Sequence, residues 1–100
     1  MYREKRLEKT LREELSKIIS KELELPALTT LTNIEIDEKF DNASIKFSAI
    51  PSSKIKEIMR ILNREAGRLR SLLSKKIKIK SIPKLVFEID PGLEKAAEIE

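Results

Sequence analysis

Cations recur at every fourth position in the middle of this chain. Lys56, Arg60, Arg64 and Arg68 would lie along one side of an α-helix, because residues four apart are neighbours on a helix surface. Like charges at this spacing destabilise a helix by about 0.2–0.5 kcal/mol per pair, whereas a bound polyanion turns the repulsion into attraction. The planar guanidinium of arginine donates two parallel hydrogen bonds to phosphate. The spacing therefore predicts a phosphate-binding surface.

The positive charge of the chain is concentrated around these residues. Residues 54–80 contain 10 basic and 2 acidic side chains, a net charge of +8, although the whole chain carries only +4. The segments 1–25, 26–53 and 81–100 carry +1, −2 and −3. Such a block favours nucleic acid as the partner. The alternative is an ordinary solvated helix face in a chain rich in Lys and Arg.

The candidate RNA-binding residues are the cations of this block and the glycine among them. Arg70 lies at the edge of the stripe, where it could pair with Glu65 or Asp90 instead. The first helix could add Arg3, Lys5 and Arg6 to the surface. The predicted set is Lys56, Arg60, Arg64, Gly67, Arg68, Arg70, Lys75, Lys76, Lys78 and Lys80.

Aromatic residues are too few for a platform on which bases could stack. The chain has one Tyr, three Phe and no Trp. Phe47 and Phe87 lie among aliphatic residues of predicted strands, which is typical of a core position. Readers of single-stranded RNA depend on exposed aromatic rings. The sequence therefore favours recognition of the backbone and shape of structured RNA.

Catalysis and cofactor binding have little support in the residue types. The chain has no Cys and no His, and it lacks a glycine-rich phosphate loop and metal-ligand spacing. Glu13 with Glu14, and Glu35 with Asp37, are interpreted as solvated surface acids. We therefore predict a protein that is not an enzyme and needs no cofactor.

The chain shows neither a secretory signal nor an apolar run that could span a membrane. Together with the absence of Cys, this favours the cytoplasm. A second hypothesis is a protein-interaction or dimerisation module without RNA affinity. In that interpretation Ile55, Ile58, Leu62 and Leu69 would exceed the needs of the core and meet a partner helix.

Hydrophobic periodicity predicts the elements that position the basic block. Residues 3–23 have helical spacing, and residues 31–38 and 43–50 alternate as two strands of a hairpin. Pro51, Ser52 and Ser53 then predict a break and a helix cap. The helical stripe that follows is Ile55, Ile58, Met59, Leu62, Ala66, Leu69 and Leu73.

The helical stripe continues through Gly67, a residue that costs about 1 kcal/mol inside a helix. We therefore expect either one kinked helix or two helices that meet at Gly67. Residues 85–89 predict a third strand, and the helical crossover before it favours parallel pairing. The fold class is α+β, with the order α-β-β-α-(kink)-α-β, a three-stranded mixed sheet and the helices on one face.

This order of elements is similar to that of a type II KH domain, but a GxxG loop cannot form because Gly67 and Gly92 are the only glycines. The chain resembles the ribosome-binding factor A family, which has this fold without that loop. The most specific stretch is "LNREAGRLRSLLSKKIKIKSIPKLVFEID". Its matching residues are Leu62, Gly67, Leu69, Arg70, Leu72, Leu73, Lys80, Pro83, Leu85, Phe87 and Asp90, and others are Arg6, Leu7, Glu22, Leu23, Pro26, Asp41, Ala43, Ile45 and Phe47.

The resemblance implies binding to the free 30S ribosomal subunit through 16S ribosomal RNA, by a monomer. It also implies a role in late subunit maturation, in 5′-end processing of the RNA and in growth in the cold. In the family an Ala-x-Gly kink replaces the GxxG loop, and here Gly67 falls on its glycine while Glu65 stands at the alanine. Residues 1–90 would form the KH-like RNA-binding domain, and residues 91–100 a short C-terminal helix or tail.

Overall fold

A computed structural model describes residues 4–92 of the chain. The elements follow the predicted order. They are α1 (Glu4–Glu22), β1 (Leu28–Ile36), β2 (Asn42–Ile50), a 3₁₀ turn (Ser52–Lys54), α2 (Ile55–Arg64), α3 (Ala66–Lys76) and β3 (Lys84–Ile89).

The three strands form one mixed sheet in the order β1-β2-β3. β1 and β2 are antiparallel, with Ile34 opposite Ile45, and a bulge lies between Leu31 and Asn33. β2 and β3 are parallel, with Ile45 beside Phe87. The crossover through α2 and α3 makes this parallel pairing possible, as the sequence predicts.

The core lies between one face of the sheet and all three helices. In β2 the residues Ala43, Ile45 and Phe47 are fully buried, and the residues between them are more exposed. The helices cover this face with side chains of at most 1% exposure, namely Leu11, Leu15, Ile58, Leu62, Leu69 and Leu73. Each large side chain of this kind contributes about 1.5–3 kcal/mol by burial. The predicted α+β class, with helices on one face and a mixed sheet, is confirmed.

The burial of these helix residues argues against the hypothesis that they bind a helix of a partner protein. Ile58, Leu62 and Leu69 have no exposed surface, so their apolar spacing is explained by contact with the sheet of the same chain. Ile55 alone of the four is partly exposed.

The outer edge of β3 is held by a side chain from α2. Asn63 accepts a hydrogen bond from the Phe87 N–H at 2.9 Å, and its amide nitrogen donates to the Phe87 carbonyl oxygen at 3.0 Å. The amide therefore contacts Phe87 as a neighbouring strand would, and satisfies two backbone groups at the edge of the sheet.

Several predicted boundaries are wrong in detail. β1 begins at Leu28 rather than residue 31, and it ends at Ile36. Ser52 and Ser53 do not cap α2, because they form the 3₁₀ turn and Lys54 occupies the cap position without a side-chain hydrogen bond. The predicted C-terminal helix falls mostly on residues 93–100, outside the described part of the chain.

Candidate nucleic-acid interface

The helical region 55–76 consists of two helices that meet at Glu65, not at Gly67. Glu65 has φ −89° and ψ 0°, outside the helical region, and this turns the chain. Its N–H still donates to the Ile61 carbonyl at 3.0 Å, and its carbonyl accepts from the Leu69 N–H at 2.9 Å. Because helical hydrogen bonds form on both sides of Glu65, the chain turns there without a glycine.

Gly67 lies in the first turn of α3 with a backbone that other residues can adopt. Its φ is not positive, and a Cβ built there would meet no heavy atom within 4 Å. The glycine is therefore not required for packing. What it supplies is an exposed stretch of backbone that a ligand can approach closely.

Replacing Gly67 by Ala should stabilise the free protein. The added methyl group meets open space and Ala has the higher helix propensity, so we expect a gain of up to about 1 kcal/mol in the free energy of unfolding. Urea denaturation of both proteins measures it. A loss of stability would show that Gly67 adopts a conformation that Ala cannot.

The predicted cations of α2 lie on its exposed side. Lys56, Arg60 and Arg64 are all exposed, opposite the buried Ile58 and Leu62. The side chain of Arg64 is 72% exposed, and its Nε lies 3.7 Å from Glu65 Oε2. Exposed ion pairs contribute at most about 1 kcal/mol, so a phosphate could compete for this guanidinium.

Arg68, the next cation in the line, is held by two carboxylates. Its Nη2 lies 2.6 Å from Glu22 Oε1 at the end of α1, and its Nη1 lies 3.3 Å from Glu65 Oε1. These contacts join α1, the helix junction and α3. They also neutralise the last cation of the basic line, so Arg60 and Arg64 are better placed than Arg68 to receive phosphate.

Arg70 does not pair with Glu65 or Asp90, the alternative that the sequence left open for it. Its Nε donates to the Ile82 carbonyl oxygen at 2.7 Å and thereby ties α3 to the segment that precedes β3. Asp90 instead accepts hydrogen bonds from the Thr32 hydroxyl at 2.5 Å and the Gly92 N–H at 2.9 Å.

Gly67 and Arg70 meet in a shallow cleft of about 380 Å³ between α3 and the segment before β3. Ser71, Ser74 and Ser81 supply hydroxyl groups there, and the Ser74 hydroxyl donates to the Ser71 carbonyl at 2.6 Å. Beyond the cleft, the last turn of α3 carries the exposed cations Lys75 and Lys76, and the connection from α3 to β3 carries Lys78 and Lys80.

The arrangement of cations, hydroxyl groups and open backbone can bind a polyanion. Across residues 4–92, no group of acids could hold a metal ion. No helix within the same residues has the length and apolar character needed to cross a membrane.

Sequence reasoning missed two features of this surface. Glu22 belongs to it through Arg68, although 46 residues separate them in the chain. The serines of the cleft also belong to it, and the sequence gives no signal for them beyond the spacing of Ser71 and Ser74, which are one helical turn apart.

The fold is that of a KH-like domain of the type II order, with a basic helical surface and no GxxG loop. A family model described as "Ribosome-binding factor A" matches residues 3–100. The chain belongs to the ribosome-binding factor A family.

Relatives and structural neighbours agree with this assignment. A ribosome-binding factor A of Desulfitobacterium hafniense is 33% identical over 101 residues, covering 98% of this chain and 81% of the relative. The crystal structure of ribosome-binding factor A from Thermus thermophilus has a TM-score of 0.79 at 24% identity, covering 87% of this chain and 94% of that one.

A further neighbour is a homology model of the Thermus thermophilus factor, fitted into a cryo-EM map of a complex of the 30S subunit with that factor. Its TM-score is 0.73 at 23% identity, and the alignment covers 87% of this chain and 94% of that one. At this level of identity the crystal structure and the fitted coordinates establish the shared fold.

Proposed function

We propose that this protein is a non-catalytic assembly factor that binds the free 30S ribosomal subunit through 16S ribosomal RNA. The observation that carries the proposal is the exposed block of cations on α2, α3 and the connection to β3. Family membership supports it, as does the Thermus thermophilus relative, whose fitted coordinates belong to a 30S complex.

Contact with phosphate follows from the chemistry of the surface. Arg60 and Arg64 project from α2 into solvent, and the cleft beside Gly67 offers serine hydroxyls and an open backbone. Positively charged side chains that neutralise phosphates release counterions, which supplies much of the binding free energy. These groups would contact the RNA backbone rather than base edges, and recognition of this kind is typical of structured RNA.

The remaining parts of the proposal rest on the family. We propose that the protein acts as a cytoplasmic monomer in late maturation of the small subunit, with 5′-end processing of 16S ribosomal RNA and growth in the cold as the processes that depend on it. Residues 1–90 form the RNA-binding domain in this proposal, and residues 91–100 are a short helix or tail outside it.

Co-sedimentation with purified 30S subunits across a salt series tests the proposal. We expect binding whose logarithm falls linearly with log[salt], with a slope of about −3 to −5 if roughly four to six phosphates are contacted. Purified 50S subunits serve as the control particle and should bind more weakly. No binding to 30S subunits at low salt, or binding that salt does not change, would refute the proposal.

A further inference from the structure

The turn between β1 and β2 exposes an aromatic side chain in an unfavourable backbone conformation. Phe40 has φ +59°, and the side chain is 44% exposed. Bulky residues rarely adopt a positive φ, which Gly and Asn accept more readily. Asp41 and Asn42 are residue types that tolerate turn conformations, but neither takes this position, and Asn42 already begins β2.

The side chain of Asp37 bridges the turn by hydrogen bonds. Its carboxylate accepts a hydrogen bond from the Asp41 N–H at 2.8 Å and another from the Asn42 side-chain amide at 3.1 Å. The Asn42 amide is the main reason that the pKa of the Asp37 carboxyl lies below its ordinary value. The Phe40 N–H donates to the Asp37 carbonyl at 3.0 Å, so the backbone that carries the ring is fixed.

Burial does not account for the choice of Phe at this position. Phe40 keeps nearly half of its accessible surface, while Phe47 and Phe87 in the core keep at most 1%. Asn or Gly would relieve the backbone without leaving a cavity in the core. Departures from local rules that bring no gain within the fold are expected at functional sites.

The charge around Phe40 defines the kind of partner. Asp37, Glu38 and Asp41 are exposed beside it, and Lys39 is the one cation in residues 37–42. The exposed Lys84 adjoins the turn, because its N–H donates to the Asp41 carbonyl at 2.9 Å, so the turn and this neighbour together carry a net charge of −1. This acidic tip attracts the phosphates of RNA less than the basic helices do. It complements a protein surface that carries Lys or Arg.

We propose that residues 37–42 form a second docking element, in which Phe40 inserts into an apolar pocket rimmed by basic residues on a protein of the 30S subunit. Fixed aromatic anchors of this kind supply a large share of the affinity at protein interfaces. The inference rests on the proposed function, because the partner belongs to the particle that the basic surface binds.

Replacing Phe40 by Asn distinguishes a role of Phe40 in docking from a role in stabilising the fold. Asn accepts the positive φ, so we expect the midpoint of thermal unfolding to rise by about 4 °C. Affinity for intact 30S subunits should fall about tenfold or more, whereas affinity for protein-free 16S ribosomal RNA should not change. Leu28→Asn is the matched control, since Leu28 is exposed at the opposite end of the sheet and should leave both affinities unchanged.

Phe40→p-benzoylphenylalanine identifies the contact directly. Irradiation of its 30S complex should give a cross-link to a ribosomal protein. A cross-link only to 16S ribosomal RNA, or none, would overturn the inference, as would unchanged 30S affinity of the Asn variant. If the Asn variant binds 30S subunits as tightly as wild type does, the proposed function stands and only the docking role of Phe40 is refuted. If wild type itself does not bind 30S subunits, both the proposed function and this inference are refuted.

Discussion

Replacing Asn63 by Asp should lower the free energy of unfolding by about 1–3 kcal/mol at neutral pH. The two side chains have the same shape, but the carboxylate cannot donate to the Phe87 carbonyl, which Asn63 reaches at 3.0 Å. It would instead place negative charge beside that oxygen. Phe87 itself is buried at the centre of β3, so loosening this edge disturbs the core as well.

Urea denaturation at pH 7 measures the effect, and Asn33→Asp provides the control. Asn33 is an exposed strand residue whose amide nitrogen donates to the Glu35 side chain at 3.3 Å. Its replacement should change the free energy of unfolding by no more than about 0.5 kcal/mol. If the two variants proved equally stable, the contact between Asn63 and Phe87 would contribute nothing to the fold.

The double variant Arg60→Glu/Arg64→Glu should weaken binding to 30S subunits by roughly 100-fold, at about 1.5 kcal/mol for each lost charged contact. Both side chains are exposed on α2, so the fold should tolerate the change. Arg68 is left in place because Glu22 and Glu65 bind its guanidinium, and a carboxylate there would face two others.

A matched reversal on α1 controls for net charge. Lys9→Glu/Arg12→Glu changes the charge by the same amount on another exposed helix face. It should weaken 30S binding only a few-fold and leave the salt slope unchanged, whereas the α2 variant should reduce the slope by about 1 for each lost contact. Circular dichroism checks that both variants are folded. Equal losses in the two would show that net charge, and not the stripe, determines affinity.

Much of the fold follows from local patterns in the sequence. The spacing of Leu7, Leu11 and Leu15 predicts α1, and these side chains are indeed buried. Alternation at Ala43, Ile45 and Phe47 predicts the inner face of β2. The length of the crossover before β3 predicts the parallel pairing, because a short hairpin cannot join parallel strands.

The details of the site depend on contacts between residues far apart in the chain. Arg68 pairs with Glu22 across 46 residues, and Arg70 donates to a carbonyl 12 residues away. The hydrophobic periodicity of the helices predicts that both arginines are exposed. It does not predict that their partners are Glu22 of α1 and the Ile82 carbonyl before β3. The sequence does not predict the helix junction at Glu65 either, since Gly67 is the nearby residue with low helix propensity.

The parallel strand β3 has a consequence for the order in which the basic surface is assembled during synthesis. β3 pairs with β2, and α2 and α3 both pack on it, so neither helix has its full support until residues 84–89 are in place. Domains fold during synthesis as their segments leave the ribosome. A nascent chain that still lacks β3 therefore cannot hold α2 and α3 in their final arrangement. The basic surface is completed only after residues 84–89 have left the ribosome and paired with β2.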